Sequence, residues 1–374
     1  MAADLIFFGH DARDAAVQRR IGAFAEAGAD VLAFTMRRGA PIAPAWRNVD
    51  LGETRDAAFL QRLIALHRAR PVLAAHKAEL AAASVFYARN LDMALLAQWA
   101  KSMSGSRAAI VYECLDIHRF MTRRDALGAA MRAMERYLLR RTALVVVSSP
   151  AFVREYFDKA QPGAAKFMLV ENRLPRGFAY GPRPSGEKLV GQPLRLGWFG
   201  NLRCKRSLAL LLALADRFPD RIVIEMRGAP ARTELSDFEG SIAGRANVRF
   251  GGRYVWPDDL AALYASVDLV WAGDFHDPGA NSKWLLPNRL YEGGYYGVPP
   301  VAPADSETGR WIGEHGFGFT LAEPLEQTLP DFIQQLAPEA IAAARARLLS
   351  APEDVFVQPQ DELKRVLDAA RGAA

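Results

Sequence analysis

The chain has 374 residues, 51% of them apolar and 24% charged, an ordinary globular composition and more length than one typical core needs. Its net charge of +5 is uneven: residues 1–180 carry 26 Lys and Arg against 17 Asp and Glu, a net +9, and the remainder nets −4. Two cysteines without paired spacing, Cys114 and Cys204, argue against a disulfide framework or a zinc site and fit a reducing cytoplasm; no apolar run approaches a membrane span, and the N-terminus lacks the pattern of a signal peptide.

In the first half, strand-like and helix-like segments alternate. DLIFFGH (4–10) is a short apolar run ending in Gly-His-Asp, and AAVQRRIGAFAEAG (15–28) is a helical pattern closed by Gly28. DVLAFT (30–35), VLAAH (72–76), VFYARN (85–90), AAIVYECLD (108–116) and ALVVVSS (143–149) continue the strands, with helical patterns at 59–70 and 93–103. Such alternation predicts a parallel sheet covered on both faces. The densest basic stretch is HRFMTRRDALGAAMRAMERYLLRR (118–141). Arg132, Arg136 and Arg140 recur every four residues along one helix face, with Met131, Met134 and Leu138 on another. This reads either as a solvated outer helix or as a face for anionic lipid or lipid-linked phosphate. Nucleic acid is disfavoured, because aromatic interleaving and known binding motifs are missing.

The Gly- and Pro-rich segment AYGPRPSGEKLVGQP (179–193) reads as a boundary. The pattern then restarts: strands at 194–201, 222–230, 248–252, 268–274 and 298–303, helices at 207–219 and 258–267, and a short helix at 287–297. The fold class is therefore α/β, with two Rossmann-like parallel-sheet domains facing a central cleft. The first spans 1–180, a linker covers 181–193, the second spans 194–350, and a C-terminal helix within 351–374 returns toward the first domain. Open parallel sheets bind ligands beyond the carboxyl ends of their strands, which directs attention to the loops at 9–13, 113–118, 200–206, 227–230 and 273–292.

No GxGxxG follows the first strand and no GxxxxGK[ST] occurs, which argues against the ordinary dinucleotide and P-loop readings. In GWFGNLRCKRS (197–207), Gly200 lets the backbone turn closely, and Arg203, Lys205 and Arg206 stand at the mouth of a helix beginning at Ser207. A helix N-terminus with cations nearby suits a diphosphate, or else it is a capped helix with solvated basic residues. In NSKWLLPNRLYEGGYYGVPPVA (281–302), Pro287 fits a first helical turn and Glu292 lies about one and a half turns inside. A carboxylate there can accept two hydrogen bonds from a vicinal diol such as a ribose, and Gly293 and Gly294 permit close approach of a neighbouring strand. His10 reads as a cap on the first strand end or as a functional group. His118, two residues from Asp116 and just after a strand, is the stronger functional candidate.

The order GWFGNLRCKRSLALLLALA, IEMRGAP, VRFGGRY, LAALYASVDLVWAGD, LPNRLYEGGYYGVPPVAP resembles the C-terminal domain of GT-B glycosyltransferases, nearest to family 4 and relatives that build bacterial exopolysaccharide and other surface glycans. The likeness is good over 194–320 and loose in the first domain. It implies that Glu292 binds the donor ribose and that Arg203, with Lys205 or Arg206, holds the diphosphate. It also implies that Arg227 and Gly228 lie near the base or ribose, and that Gly200, Asn201, Asn288, Arg289 and Leu290 complete the donor site. Asp116 or His118 would approach the transferred sugar. Many family 4 members carry two glutamates spaced E-x7-E. Here Trp284 holds the first position, so Asn281, Ser282 or Lys283 would take over its role, and the family's retaining stereochemistry is in doubt.

An inverting reaction needs a general base for the acceptor hydroxyl. Asp11, Glu113, Asp116 and His118 are candidates, with Asp11 at the end of the first strand. No DxD lies in the candidate loops, so cationic side chains and a helix terminus, rather than an obligatory Mg²⁺ or Mn²⁺, would stabilise the leaving diphosphate. No metal and no cofactor beyond the nucleotide-sugar donor, UDP-linked, is expected. The expected partners are that donor, a saccharide or lipid-linked acceptor and an anionic membrane surface, without nucleic acid; the expected location is cytoplasmic, at the inner membrane face. The other readings are a UDP-sugar 2-epimerase-like enzyme and a non-catalytic nucleotide-sugar-binding scaffold.

Overall fold

The computed structural model describes residues 3–54, 59–185, 191–277 and 281–373. The chain divides into two compact units: Met1–Glu171 with Pro175–Gly177 and Pro359–Ala374, and Asn172–Leu174 with Phe178–Gln358.

The first unit holds seven strands: β1 Leu5–Gly9, β2 Val31–Arg37, β3 Asn48–Glu53, β4 Val85–Arg89, β5 Ala109–Cys114, β6 Leu144–Val147 and β7 Phe167–Leu169. They form one parallel sheet in the order β3-β2-β1-β4-β5-β6-β7. Every residue of β1, β4, β5 and β6 is buried, as a sheet with helices on both faces requires. That is why these strands read as apolar runs, broken only by Arg89 in β4 and Glu113 in β5. The helix Glu362–Arg371 belongs to this unit: Leu363, Val366 and Leu367 pack with Leu5, Phe7 and Tyr87.

The second unit holds β8 Leu194–Leu202, β9 Ile222–Pro230, β10 Val248–Phe250, β11 Leu269–Trp271, β12 Pro300–Pro303 and β13 Phe319–Leu321. This parallel sheet has the order β10-β9-β8-β11-β12-β13. Successive side chains alternate between faces. Trp198 and Trp271 enter one core with Leu211 and Met226; Phe199 and Val270 enter the other with Tyr264 and Tyr291. In each sheet the order reverses beside its first strand, at β1/β4 and at β8/β11. Such switch points open a crevice at the carboxyl ends of the two strands.

Several elements differ from the sequence expectation. VLAAH (72–76) is not a strand; most of it ends the long helix Phe59–Ala75, since a short apolar run alone does not separate strand from helix. β3, β7 and β13 went unread. β3, NVDLGE, buries only Leu51 at the sheet edge and so lacks an apolar run. The predicted linker began at 181, but Phe178 and Tyr180 already pack in the second unit, against Trp256. Its 186–190 portion lies outside the described residues. Residues 351–358 also join the second unit, where Phe356 is fully buried.

The basic helix spans Ala126–Leu139, capped by Asp125, whose carboxylate accepts from Gly128 N. Two of its three periodic arginines tie the helix to its own neighbours. Arg132 donates to Met121 O and Arg123 O, and Arg136 to Gln161 and Ala160 O. Arg140, Leu127 and Tyr137 remain exposed.

Candidate functional site

The second sheet's switch point is built from the loops after β8 and β11. β8 does not turn at Gly200. It runs on to Leu202 in register with β9, Gly200 opposite Gly228. Both glycines have positive φ, +106° and +135°, and a Cβ on Gly228 would stand 1.8 Å from Gly200 O. Only glycine fits that approach. Asn201 follows in the same ladder, exposed and opposite Ala229. The next helix, Lys205–Arg217, starts two residues before the predicted Ser207 and is capped by a thiol: Cys204 Sγ accepts from Ser207 N and from Phe275 N. Ser207 Oγ accepts from Trp271 Nε1, 3.0 Å away. The β8 loop is thereby stitched to the β11 loop.

The three cations of this loop part company. Arg206 holds Glu323 and Glu326 and lies over Phe275, 4.6 Å from its centroid. Lys205 is mostly exposed and faces Glu234 at 3.8 Å. Arg203 reaches Asp274, 3.5 Å away. Asp274 also accepts from His276 N and Ser282 Oγ. Burial alone would raise its pKa, but these hydrogen bonds and the charges of Arg203 and Arg289 hold it below the usual carboxylate range. Arg289 donates to Phe199 O and Gly273 O, while its Nε has no hydrogen-bond partner among the described residues. Burial lowers its pKa. Asp274 is thus the organiser that sequence reasoning missed; its signal was an acid ending the VWAGD strand segment.

The NSKW stretch forms its own short helix, Asn281–Trp284. Asn281 is half-buried at its start. Ser282 is buried between Asp274 Oδ1 and Asp277 N. Lys283 pairs with Asp305 at 2.5 Å, and Trp284 is half-buried. The helix Asn288–Tyr295 then presents Arg289 and Glu292. Asn288 is half-buried, and Leu290 puts its side chain in the core. Glu292 is 3% exposed and accepts a hydrogen bond from Tyr264 Oη at 2.9 Å. Burial and that carboxylate raise the phenol's pKa well above its ordinary value. The paired glycines are explained by two neighbours: a Cβ on Gly293 would crowd Val270 of β11 at 3.1 Å, and one on Gly294 would overlap Phe356 at 2.3 Å. Arg227 closes over the turn after β10, donating to Gly252 O and Arg253 O.

In the first unit, Asp11 is buried and saturated. Its oxygens accept from Arg13 N, Nε and Nη2 and from Arg38 N. Burial raises its pKa, but the bonds from Arg13 and Arg38 outweigh that and bring it to about 2. A carboxylate with its lone pairs occupied and so low a proton affinity is poorly suited as a general base. Glu113 is likewise enclosed, by Arg20 and Arg89. Asp116 and His118 lie exposed on the loop after β5, where His118 Nδ1 accepts from Phe120 N at 3.3 Å. His10, by contrast, is buried and bound to Asp92. Among the described residues no group of three or more His, Cys, Asp or Glu side chains could hold a metal ion.

Two parallel-sheet units, each with a switch point beside its first strand, define the GT-B architecture of glycosyltransferases. Solved structures of that fold superpose along the whole chain. HepE from Anabaena, solved with UDP, matches with a TM-score of 0.69 at 13% identity over 99% of this chain and 100% of that one. Sucrose-phosphate synthase from Thermosynechococcus elongatus matches at 0.70 and 14%, over 99% and 100%. WaaG, a glycosyltransferase involved in lipopolysaccharide biosynthesis, matches at 0.67 and 13%, over 98% and 100%. No family model matches the chain. The chain belongs to the family of the succinoglycan biosynthesis protein ExoL of Rhizobium meliloti (strain 1021), with which it is 38% identical over 351 residues, 92% of this chain and 87% of that protein.

Proposed function

We propose that the protein transfers a sugar from a nucleotide-diphosphate donor, a UDP-sugar, to a glycan or lipid-linked saccharide in surface-polysaccharide synthesis. The observation that carries this reading is the pair of guanidinium groups at the second sheet's switch point, Arg203 3.5 Å from Asp274 and Arg289 on Phe199 O and Gly273 O. When a sugar–diphosphate bond breaks, the leaving group gains negative charge, and guanidinium groups in a water-poor site stabilise it. Glu292, in the same helix as Arg289, would take the ribose diol. The relative's part in succinoglycan biosynthesis and the UDP in HepE support a uridine donor and a saccharide acceptor. They favour transfer over epimerisation or a scaffold role.

UDP is expected to raise the melting temperature of the protein in EDTA, and GDP and ADP less so. Ligand at about a hundred times its Kd stabilises by about 2.7 kcal/mol. No stabilisation by any of the three would overturn the donor reading; stabilisation only on adding Mg²⁺ or Mn²⁺ would overturn the metal-free one. No helix among the described residues is long and apolar enough to cross a membrane. Exposed Leu127, Tyr137 and Arg140 on the basic helix support peripheral contact with anionic lipid at the cytoplasmic face. Co-sedimentation with phosphatidylglycerol vesicles is expected at low salt; protein left wholly in the supernatant would contradict it.

A further inference from the structure

We propose that Cys204 and Ser207 are positioning residues of the donor site: their side chains lock residues 273–275, the segment on which the guanidinium groups of Arg203 and Arg289 both rest. This rests on the glycosyltransferase reading above, because the groups being placed are those assigned to the diphosphate. All the residues involved belong to the second unit.

Both side chains are buried where β8 gives way to its helix. A helix leaves its first N–H groups unpaired, and an oxygen-bearing side chain ordinarily accepts one of them. Here the cap is a thiol, a weaker acceptor, so capping by itself does not call for it. Cys204 Sγ accepts from Ser207 N at 3.3 Å and also from Phe275 N at 3.2 Å, 71 residues further on. One atom thus serves two backbone N–H groups, one from each loop. Sulfur is larger than oxygen and stands on a longer bond, so it reaches both. Ser207 is used twice as well: Oγ accepts from Trp271 Nε1 at 3.0 Å and donates to Gly273 O at 3.4 Å. Trp271 is fully buried, and a buried indole N–H needs such a partner.

These bonds fall on either side of Asp274. Gly273 O accepts from Ser207 Oγ and, at 3.3 Å, from Arg289 Nη2. A Cβ on Gly273 would stand 2.6 Å from Trp271, so this backbone lies directly on the indole that Ser207 holds. On the other side, Phe275 N donates to Cys204. Between the two, Asp274 faces Arg203 at 3.5 Å, and Arg203 is the residue before Cys204. The contacts close a circuit: from Cys204 across to Phe275, along the chain to Asp274, over to Arg203 and back to Cys204. A free arginine side chain loses rotamer freedom when a ligand fixes it. The circuit fixes Arg203 beforehand, so less is lost when a diphosphate binds.

The test uses the full-length protein and calorimetric titration with UDP, well below the melting temperature of every variant. Cys204→Ala and Ser207→Ala are each expected to weaken UDP binding about three- to tenfold, the scale of one lost hydrogen bond. Arg203→Ala supplies the arm that a purely structural role would not move. In that background Cys204→Ala is expected to cost less than about a further twofold, because the guanidinium it places is gone. Lowered melting temperatures with UDP affinity unchanged in both single variants would assign the two side chains to stability alone and overturn the proposal. Additive losses in the Cys204–Arg203 cycle would overturn it too. Either result leaves the donor reading standing, whereas wild type that takes up no UDP overturns that reading itself. If Cys204→Ala fails to fold, Cys204→Ser carries the cycle, and additive losses there overturn the proposal.

Discussion

Replacing Glu113 by alanine is expected to destabilise the protein by about 3–5 kcal/mol, the largest stability effect predicted for any single side chain here. Glu113 is the next-to-last residue of β5, at 1% exposure. Arg20 reaches its Oε1 through Nε at 2.9 Å and Nη2 at 2.6 Å. Arg89 Nε approaches Oε2 to 2.7 Å, although out of hydrogen-bond alignment. Removing the carboxylate leaves two guanidinium groups buried at 10% and 6% side-chain exposure without the partner they share. Burial pushes the Glu113 pKa up, but the two arginines outweigh it and hold the group below its ordinary range. A depressed carboxylate stabilises the fold above its unfolded pKa of about 4.3. That contribution is fully present at neutral pH and fades as pH falls below 4 through the folded value. Urea unfolding at pH 7 and below pH 4 measures both effects. A loss under 1 kcal/mol in Glu113→Ala at pH 7 would refute the triad as a stabilising unit.

Substituting Glu292 by glutamine is expected to weaken UDP binding about ten- to a hundredfold with little change in melting temperature. Glutamine keeps the shape and can still accept from Tyr264 Oη, so the buried phenol stays satisfied. What it loses is the charge that strengthens hydrogen bonds to a diol, worth about 1.5–3 kcal/mol. Glu292→Ala should also cost stability, about 1–3 kcal/mol, by stranding that phenol. Calorimetric titration with UDP separates the two effects. Wild-type affinity in the glutamine variant would remove Glu292 from the ribose site and leave it a partner of Tyr264 only.

The elements most legible in the sequence were the buried parallel strands. β1 and β6 are apolar throughout, and β4 and β5 are apolar but for Arg89 and Glu113, because helices cover both faces of their sheet. β3 escaped notice because an edge strand with one buried residue carries no such signal. At the site, the same limit applied to charge. Arg203, Lys205 and Arg206 look equivalent along the chain. Their division came from carboxylates as far away as 120 residues, Glu323 and Glu326 for Arg206 and Glu234 for Lys205. Asp11 looked like a free acid because its four donors come from folded loops.

From sequence alone came two α/β halves, a family resemblance carried by ordered motifs, and a glutamate set between a helix start and two glycines. These follow from local periodicity and spacing, which the chain expresses without folding. Tertiary structure decided the protonation and the partners. It placed Asp92 on His10 across 82 residues, enclosed Glu113 between two arginines, and brought Arg203 to Asp274. Each depends on strand order in a sheet, which brings together loops from neighbouring strands however far apart they lie along the chain.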